Sequence, residues 1–333
     1  MRKIPIVSIA LLAMLALALT ACGNVTKAAQ QQAHSTVAEA SPRILAVYAG
    51  GLPGTAYATQ ALEWAKSADF SAVLNYSVID ATPAAIGSYM DLANQLGLKV
   101  IVSLSDLLGT QDGDPDPTDQ ALHQQFGATT DIEFRKIVQE FQGNPAVWGF
   151  SISDEEPDSP DGLSTWLPAL QLRQAEIKKL TNKPTLVTLS WSGTGDSFYK
   201  SVASTTTDLA VDYYPFPENS IYGTVNSITA IGQALQVAAG SNSWFTLQSF
   251  GWGNGCHPEG AGLGFASDAP PPTSVDMVSM AKMAILGGAR NVIMFSYDDN
   301  AVGGCDANST GSQGQLTAMK TAAAQITGSD WWQ

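Results

Sequence analysis

The chain has 333 residues, of which 14% are charged and 45% hydrophobic, and its formal net charge at pH 7 is −14. A surface of this charge repels nucleic-acid phosphates, and the sequence has no basic cluster to offset it, so a nucleic-acid partner is excluded. The low charged fraction and the eight tryptophans fit an exported domain with a neutral polar ligand.

The N-terminus has the pattern of a targeting signal. Arg2 and Lys3 precede an apolar run over residues 4–19, and the box Leu-Thr-Ala-Cys then ends at Cys22. This resembles a bacterial lipoprotein signal, which implies cleavage after residue 21, lipidation of Cys22 and an extracytoplasmic place in the cell envelope, anchored in the membrane. A plain secretory signal or a membrane helix is the alternative, although the run is short for a span of about 20 residues. Cleavage would remove the charges of Arg2 and Lys3, changing −14 to −16.

Residues 22–42 have no periodic apolar face and are predicted to be a lipidated tether, and residues 43–333 to be one domain. Apolar runs bounded by turn residues predict strands near 44–48, 72–76, 99–104, 147–153, 185–190, 208–213, 244–249 and 291–297. Helical patterns lie near 56–67, 83–96, 131–142, 161–181, 224–239, 274–287 and 313–326, with a poorly defined connection around 196–205. This α/β repeat predicts a closed (β/α)8 TIM barrel. A doubly wound open sheet is the alternative, but the turn at residues 50–54 lacks a dinucleotide-binding fingerprint.

The three cysteines have different predicted fates. If Cys22 carries lipid, Cys256 and Cys305 remain as a pair in an oxidising compartment, and we expect them to form a disulfide between the loops after strands seven and eight. A metal site at Cys256-His257 is the competing interpretation, but none of the three histidines has ligand spacing to another. We therefore expect neither a metal nor a cofactor.

The fourth predicted strand ends in an acidic run, Asp154-Glu155-Glu156, followed by Pro157. Side chains alternate across a strand. The bulky side, expected to pack outward on the helices, is Trp148, Phe150 and Ile152. The small and acidic side, expected to face the lumen, is Gly149, Ser151, Ser153 and Glu155. Glu155 is thereby predicted at the carboxyl-end mouth, where barrel enzymes carry their active sites. A solvated loop or a calcium-binding turn is the alternative.

Other strand ends offer polar or aromatic side chains that suit a sugar, since rings stack on pyranose faces and amides or carboxylates bind hydroxyls. The groups assigned to the inward parity are Asn75, Ser103, Ser105, Thr188, Ser190, Asp212, Tyr214, Thr246, Gln248, Ser296 and Asp298. The predicted substrate-binding residues are Asp154, Asn75, Trp191, Tyr214, Gln248, Trp252 and Tyr297. This set predicts a carbohydrate ligand.

Residues 144–150, Asn-Pro-Ala-Val-Trp-Gly-Phe, followed by Asp154-Glu155, resemble the fourth strand of TIM-barrel glycoside hydrolases related to cellulases and agarases, which ends in Asn-Glu-Pro or Asp-Glu-Pro. Residues 212–215, 248–252 and 287–297 extend the resemblance. It implies a hydrolase of a poly- or oligosaccharide, expected to be monomeric, with Glu155 as general acid/base. Counting back from Pro157 instead of forward from Gly149 selects Glu156.

The chain departs from these hydrolases at strand seven, where Gln248 and Ser249 stand in place of the nucleophilic glutamate. Glycoside hydrolysis ordinarily needs two carboxyl groups. Asp298 and Asp212 are the candidates for the second, and Glu259 is the third. An aspartate set back farther than the usual glutamate would leave a larger distance between the two carboxyl groups. That fits the separation of about 6.5–9.5 Å in inverting enzymes better than the separation of about 5–5.5 Å in retaining enzymes. A non-catalytic carbohydrate-binding lipoprotein on the same barrel is the alternative, followed by a polysaccharide deacetylase or lyase.

Overall fold

The computed structural model describes residues 42–105, 130–155, 160–191, 196–216, 221–251, 271–301 and 311–333. Eight strands pair in parallel in chain order, and the eighth pairs with the first to close a barrel. The strands are β1 Leu45–Tyr48, β2 Ala72–Asn75, β3 Lys99–Ser103, β4 Val147–Asp154, β5 Thr185–Ser190, β6 Asp208–Tyr213, β7 Ser243–Gln248 and β8 Asn291–Phe295. The predicted (β/α)8 barrel is confirmed, and the open doubly wound sheet is excluded.

Helices alternate with the strands. They are α1 Ala56–Ser67, α2 Pro83–Leu96, α3 Thr130–Phe141, α4 Pro160–Leu180, α5 Asp196–Ala203, α6 Ile221–Ala239, α7 Ser274–Gly287, α8 Tyr297–Ala301 and α9 Gly311–Thr327, with a 3-10 turn at Gly240–Asn242. The helices predicted from the sequence are all present, with ends shifted by less than one helical turn. The short α8 was not predicted, because residues 291–297 read as one continuous strand, whereas β8 ends at Phe295.

Several helices begin or end at residues that stabilise helix ends, either through a side-chain hydrogen bond or through their backbone conformation. The hydroxyl of Thr55 accepts a hydrogen bond from the Ala58 amide at the start of α1. Thr273 and Asp276 form a reciprocal capping box at the start of α7. Gly97 ends α2 in the left-handed conformation, with φ of 70°. These local contacts fix where the helices begin and end.

Most apolar residues of the barrel belong to two large clusters. Outward-facing strand residues such as Val73 and Val187 pack against the helices. The lumen holds a second cluster of Ala46, Tyr48, Ala72, Leu74, Ile101, Leu186, Ala210, Trp244 and Ile293. Near the amino ends of the strands, Trp244 donates from Nε1 to Asp208 Oδ1 at 2.8 Å. The lumen is therefore a packed core below the mouth, as expected for this architecture.

Strand β4 departs from the alternation predicted for it, because its register shifts against both neighbours. Trp148 lies in the lumen cluster, in edge contact with Trp244 at 5.1 Å between ring centroids, and not against the helices as predicted. Ser153 faces outward, where its Oγ accepts from Trp166 Nε1 of α4 at 3.0 Å. The predicted orientations of Trp148 and Ser153 were wrong, since an inserted residue reverses the facing of those that follow. Phe150 and Ile152 pack outward as predicted.

Helices α6 and α7 approach each other through glycine. A Cβ on Gly232 would lie 2.5 Å from the carbonyl oxygen of Ala284, and one on Gly287 would lie 2.6 Å from that of Thr229. Only glycine permits this backbone approach.

Within the described ranges, no helix is both long and apolar enough to cross a membrane. Three cysteines of the predictions, Cys22, Cys256 and Cys305, lie outside those ranges.

Candidate active site

The carboxyl ends of β4, β5 and β6 bring three acidic residues together. Asp154 ends β4 opposite Thr188 of β5, and Asp212 of β6 lies opposite Ser190 of β5. Glu155 follows β4, and its amide donates to the Thr188 carbonyl at 2.9 Å. Because β5 lies between β4 and β6, these three carboxyl groups occupy one sector of the barrel mouth.

Glu155 reaches this sector by a route that differs from the predicted one. Asp154 lies on the lumen side, bonded to Tyr48 of the lumen cluster, so simple alternation would turn Glu155 away. Glu155 instead has a left-handed backbone, with φ of 60°, which is uncommon for a residue other than glycine. Its side chain is exposed and hydrogen-bonds the carboxyl group of Asp212. The predicted position at the mouth is therefore reached through a turn.

Asp212 is buried, with 5% of its surface exposed. Burial raises the pKa of Asp212 well above its usual range, the negative charges of Glu155 and Asp154 raise it further, and a hydrogen bond with Tyr214 partly opposes the shift. Two carboxyl groups can hydrogen-bond to each other only if one of them carries a proton. The Glu155–Asp212 pair therefore shares a proton, which is the state in which a carboxyl group acts as a general acid.

Two tyrosines that sequence reasoning missed hold Asp154. The Tyr48 hydroxyl donates to Asp154 Oδ1 at 3.3 Å, and the Tyr76 hydroxyl donates to Oδ2. Burial and the charge of Asp154 raise the pKa of both tyrosines, so they remain neutral donors. Burial also raises the pKa of Asp154, and these hydrogen bonds oppose that shift. A signal for Tyr48 was present, since it alternates with Ala46 on the small-residue side of β1.

Aromatic rings border the acidic sector. Tyr214 lies in edge contact with Phe250 at 5.1 Å and in tilted contact with Phe295 at 5.6 Å. Phe295 in turn contacts the Tyr48 ring at 4.8 Å, and its peptide bond to Ser296 is cis. Tyr214 was predicted as a substrate-binding ring, and the structure places it beside Asp212.

Gln248, the residue at the end of β7, is fully buried and bonds only to backbone groups among the described residues. Its Oε1 accepts from the Phe216 amide at 2.8 Å, and its Nε2 donates to the carbonyls of Phe216 at 3.0 Å and Phe250 at 2.8 Å. These bonds join the segment after β6 to the segment after β7. Gln248 thus shapes the mouth by fixing two loops.

Asn75, predicted to face the lumen, faces outward. Its Nδ2 donates to Tyr89 of α2 at 3.1 Å and to the Gly51 carbonyl at 3.2 Å, while its Oδ1 accepts from the Ser77 amide at 2.8 Å. The inward residue of β2 is the neighbouring Leu74. The assignment failed because it took the polar residue of the strand end to be the inward one.

Asp298, a candidate second carboxylate, lies at the carboxyl end of the barrel but belongs to the β8–β1 side. Its Oδ2 accepts from the Gly50 amide at 2.5 Å and its Oδ1 from the Tyr57 hydroxyl. Burial raises the pKa of Asp298, and these two hydrogen bonds oppose the shift. Both carboxyl oxygens therefore tie α8 to the loop after β1 and to α1.

Two of the predicted sugar-binding rings pack between the barrel and its helices. Tyr297 contacts the rings of Trp64 at 4.7 Å and Tyr57 at 5.8 Å. Trp191 stacks on Tyr199 at 6.1 Å. Both pack in or against the outer apolar cluster. Trp252, Glu156 and Glu259 lie outside the described residues.

A metal site is not found in the part of the chain that the structure describes, where no three His, Cys, Asp or Glu residues are grouped to hold an ion.

The comparisons with known proteins agree with the resemblance noted in the sequence. No protein-family model and no curated protein sequence matches the chain. Among solved structures, it is similar to β-galactosidases from Marinomonas ef1, with a TM-score of 0.57 and 11% identity over 86% of this chain and 61% of that one, and from Rahnella sp. R3, with a TM-score of 0.56 and 11% identity over 87% and 56%. This chain has the fold of the TIM-barrel glycoside hydrolases.

A β-glucuronidase from an uncultured Clostridium sp. is similar as well, with a TM-score of 0.50 and 13% identity over 77% of this chain and 44% of that one. The chain spans less than two thirds of the length of each of these proteins. At such identities the likeness concerns the barrel and leaves substrate and activity open, because one fold hosts many functions.

Proposed function

We propose that the protein is a glycoside hydrolase that cleaves a poly- or oligosaccharide, with Glu155 as the general acid. The observation that carries the proposal is the hydrogen-bonded pair of Glu155 and Asp212 at the carboxyl-end mouth. Barrel enzymes conduct their chemistry at that end. The exposed side chain of Glu155 is accessible to a substrate, while the buried Asp212 is not.

In the proposed reaction, the Glu155–Asp212 pair gives its shared proton to the glycosidic oxygen as the bond from that oxygen to the anomeric carbon breaks. The sugar hydroxyl leaves, a water oxygen bonds to the anomeric carbon in its place, and the pair is then doubly negative until the proton that this water releases is taken up. Repulsion between the adjacent charges of the exposed Glu155 and the buried Asp212 favours this uptake, which resets the acid. Asp212 thus acts on Glu155 as a positioning residue and as a partner for its proton.

Asp212 is favoured over Asp298 for this supporting role, because both oxygens of Asp298 are occupied by Gly50 and Tyr57. A hydrogen-bonded carboxyl pair is closer than the separations of about 5–5.5 Å or 6.5–9.5 Å that let two carboxyl groups flank a glycosidic bond. Asp212 is therefore assigned to the acid and not to nucleophilic attack. Glu259, in the loop after β7, is the remaining acidic candidate for the second catalytic group.

Release of reducing ends from a panel of polysaccharides tests this function, with wild type compared with Glu155→Gln. We expect at least one polymer to be cleaved, and the variant to be slower by about 10²–10⁴-fold. Glu63→Gln serves as the control, since it removes one exposed carboxylate from α1 on the outside of the barrel. Equal rates for wild type and Glu155→Gln would refute the role of Glu155.

The second candidate function is non-catalytic carbohydrate binding. It is favoured by Gln248, which stands where the similar hydrolases carry their nucleophile and whose amide is committed to backbone groups. Binding of an oligosaccharide without release of reducing ends by the wild type would select this function.

We also propose that the protein is lipid-anchored through Cys22 on the extracytoplasmic side of the envelope, on the basis of the N-terminal signal pattern. In a bacterial host, wild-type protein should fractionate with membranes, and Cys22→Ser should release it into the soluble fraction. Recovery of both in the soluble fraction would refute the anchor.

In the same compartment, Cys256 and Cys305 are proposed to form a disulfide, because they lie in loops that follow the paired strands β7 and β8. Peptide mapping by mass spectrometry without reduction should find them linked. Two free thiols in protein purified from an oxidising compartment would contradict this.

A further inference from the structure

The acidic sector of the mouth retains negative charge after its internal hydrogen bonds are made. Glu155 is exposed at the mouth and hydrogen-bonds the buried Asp212, so this pair of carboxyl groups keeps a negative charge even when it holds one proton. Asp154 adds a carboxylate that two tyrosine hydroxyls stabilise. The charged groups that act on Asp212 are themselves acidic, whereas the groups that donate to Asp154 are neutral. Such a sector attracts a cation and repels an anion.

Buried hydroxyls in the lumen provide a second, independent observation. Thr246 is completely buried, lies opposite Asp212 across the β6–β7 pair, and its Oγ1 has no hydrogen-bond partner among the described residues. Its neighbours Phe245 and Leu247 face the helices, so Thr246 faces the lumen. Ser151 Oγ is likewise buried and lacks a partner in the described ranges. Buried polar atoms are normally satisfied, and the Thr246 hydroxyl leaves hydrogen-bonding capacity for a ligand or a water beside Asp212.

We propose that the mouth selects an amino sugar whose nitrogen is unacetylated and positively charged, with the ammonium group facing Asp154 and the exposed Glu155 of the Glu155–Asp212 pair. An ammonium offers three donors to carboxylate oxygens and neutralises charge that is costly to bury. An N-acetylated sugar carries no such charge, and a uronic acid would be repelled. This substrate class rests on the proposed glycoside hydrolase function and deepens it.

Calorimetric titration of the full chain with two tetrasaccharides tests the selection. The ligands are β-1,4-linked glucosamine and β-1,4-linked N-acetylglucosamine, which have the same length and linkage and differ in charge and acetylation. The glucosamine oligomer is expected to bind about tenfold more tightly at low salt. The preference should shrink when the ionic strength is raised from about 0.05 M to about 0.5 M. Equal affinities, a preference for the acetylated oligomer, or no binding of the glucosamine oligomer would overturn the proposal.

Single substitutions test which carboxylate is responsible for the preference for the glucosamine oligomer. Asp154→Asn is expected to reduce the preference by about tenfold, whereas Glu63→Gln, which removes one exposed charge from α1, should leave it unchanged. Circular dichroism checks that Asp154→Asn folds, since Tyr48 and Tyr76 donate to that side chain. If it does not fold, Glu155→Gln replaces it, because Glu155 is exposed and its loss also lowers the negative charge of the sector. A preference unchanged in a folded mouth variant refutes the assignment.

The two proposals fail in distinguishable ways. Tight binding of the glucosamine oligomer without release of reducing ends would refute hydrolysis and keep the amino-sugar selection. Cleavage of neutral polymers without any preference for the amine would keep hydrolysis and refute the selection.

Discussion

Asp212 shows how much of the proposed chemistry depends on the surroundings of single residues. An aspartate at a strand end is ordinarily ionised, but burial and two acidic neighbours raise the pKa of Asp212 well above its usual range. The exposed Glu155 gains access to the shared proton through one hydrogen bond. The sequence identified both residues as candidates, yet it could not show that they touch, because their contact depends on the left-handed backbone of Glu155.

The Asp212→Asn variant tests the shared proton. In this variant the side-chain amide at position 212 donates a hydrogen bond to Glu155 and favours its charged form. Glu155 should therefore lose its proton at a lower pH than the wild-type pair does. A shift of about one to two pKa units would cost on the order of 10–100-fold in rate at a pH above both values. In the pH profile of kcat/KM, the alkaline limb should move to lower pH than in wild type. An unmoved alkaline limb would contradict the pairing.

Asp208 makes a pH-dependent contribution to stability at the amino end of the barrel. Burial raises the pKa of Asp208 from 3.8 to about 6, while hydrogen bonds from Trp244 and Thr207 oppose the shift. The folded state therefore holds this proton more tightly than the unfolded state. Its contribution is complete below about pH 4 and is lost as the pH rises to about 6.

The Asp208→Asn variant should lack this pH dependence while keeping an acceptor for Trp244. Urea unfolding at pH values from about 4 to about 7 should show wild type losing roughly 3 kcal/mol more than the variant over that range, from a shift of about two pKa units. Parallel stability curves would show that Asp208 does not titrate as described.

At the scale of elements, the sequence predicted every strand and the long helices, because apolar runs and helical patterns are local signals. It failed inside β4, where the register shifts against β3 and β5. Such shifts are set by pairing with neighbouring strands and have no reliable local signature. Trp148 and Ser153 were consequently assigned to the wrong sides. Asn75 of β2 was misassigned for another reason, because the polar residue of its strand end was taken to be the inward one, and Tyr76 was not considered.

The α6–α7 contact gives an element-scale prediction. Gly232→Ala should destabilise the protein by about 1–3 kcal/mol, because its Cβ would clash with the Ala284 carbonyl oxygen. Gly87→Ala is the matched control in α2, where a Cβ meets nothing within 4 Å. Alanine should there add about 0.5–1 kcal/mol of stability through helix propensity. Urea unfolding that shows the same sign for both variants would contradict the described packing.

For the whole molecule, the regular repeat of strand and helix was sufficient to predict the barrel, and its likeness to β-galactosidase barrels at 11% identity shows that very different sequences form this fold. The site was less predictable. Glu155 and Asp212 were named from a motif and from strand ends, but Tyr48 and Tyr76, which hold Asp154, come from strands distant in the chain. Their hydrogen bonds to Asp154 form only in the closed barrel.

The central claim is that Glu155 supplies the catalytic proton, and it is tested most directly by comparing the turnover of Glu155→Gln and Glu156→Gln on the polymer that wild type cleaves fastest. The account predicts that Glu155→Gln is slower by about 10²–10⁴-fold, since it removes the general acid. Glu156→Gln should retain nearly full activity. If Glu156→Gln is the inactive variant, or if both variants turn over at the wild-type rate, the assignment of the acid to Glu155 is wrong.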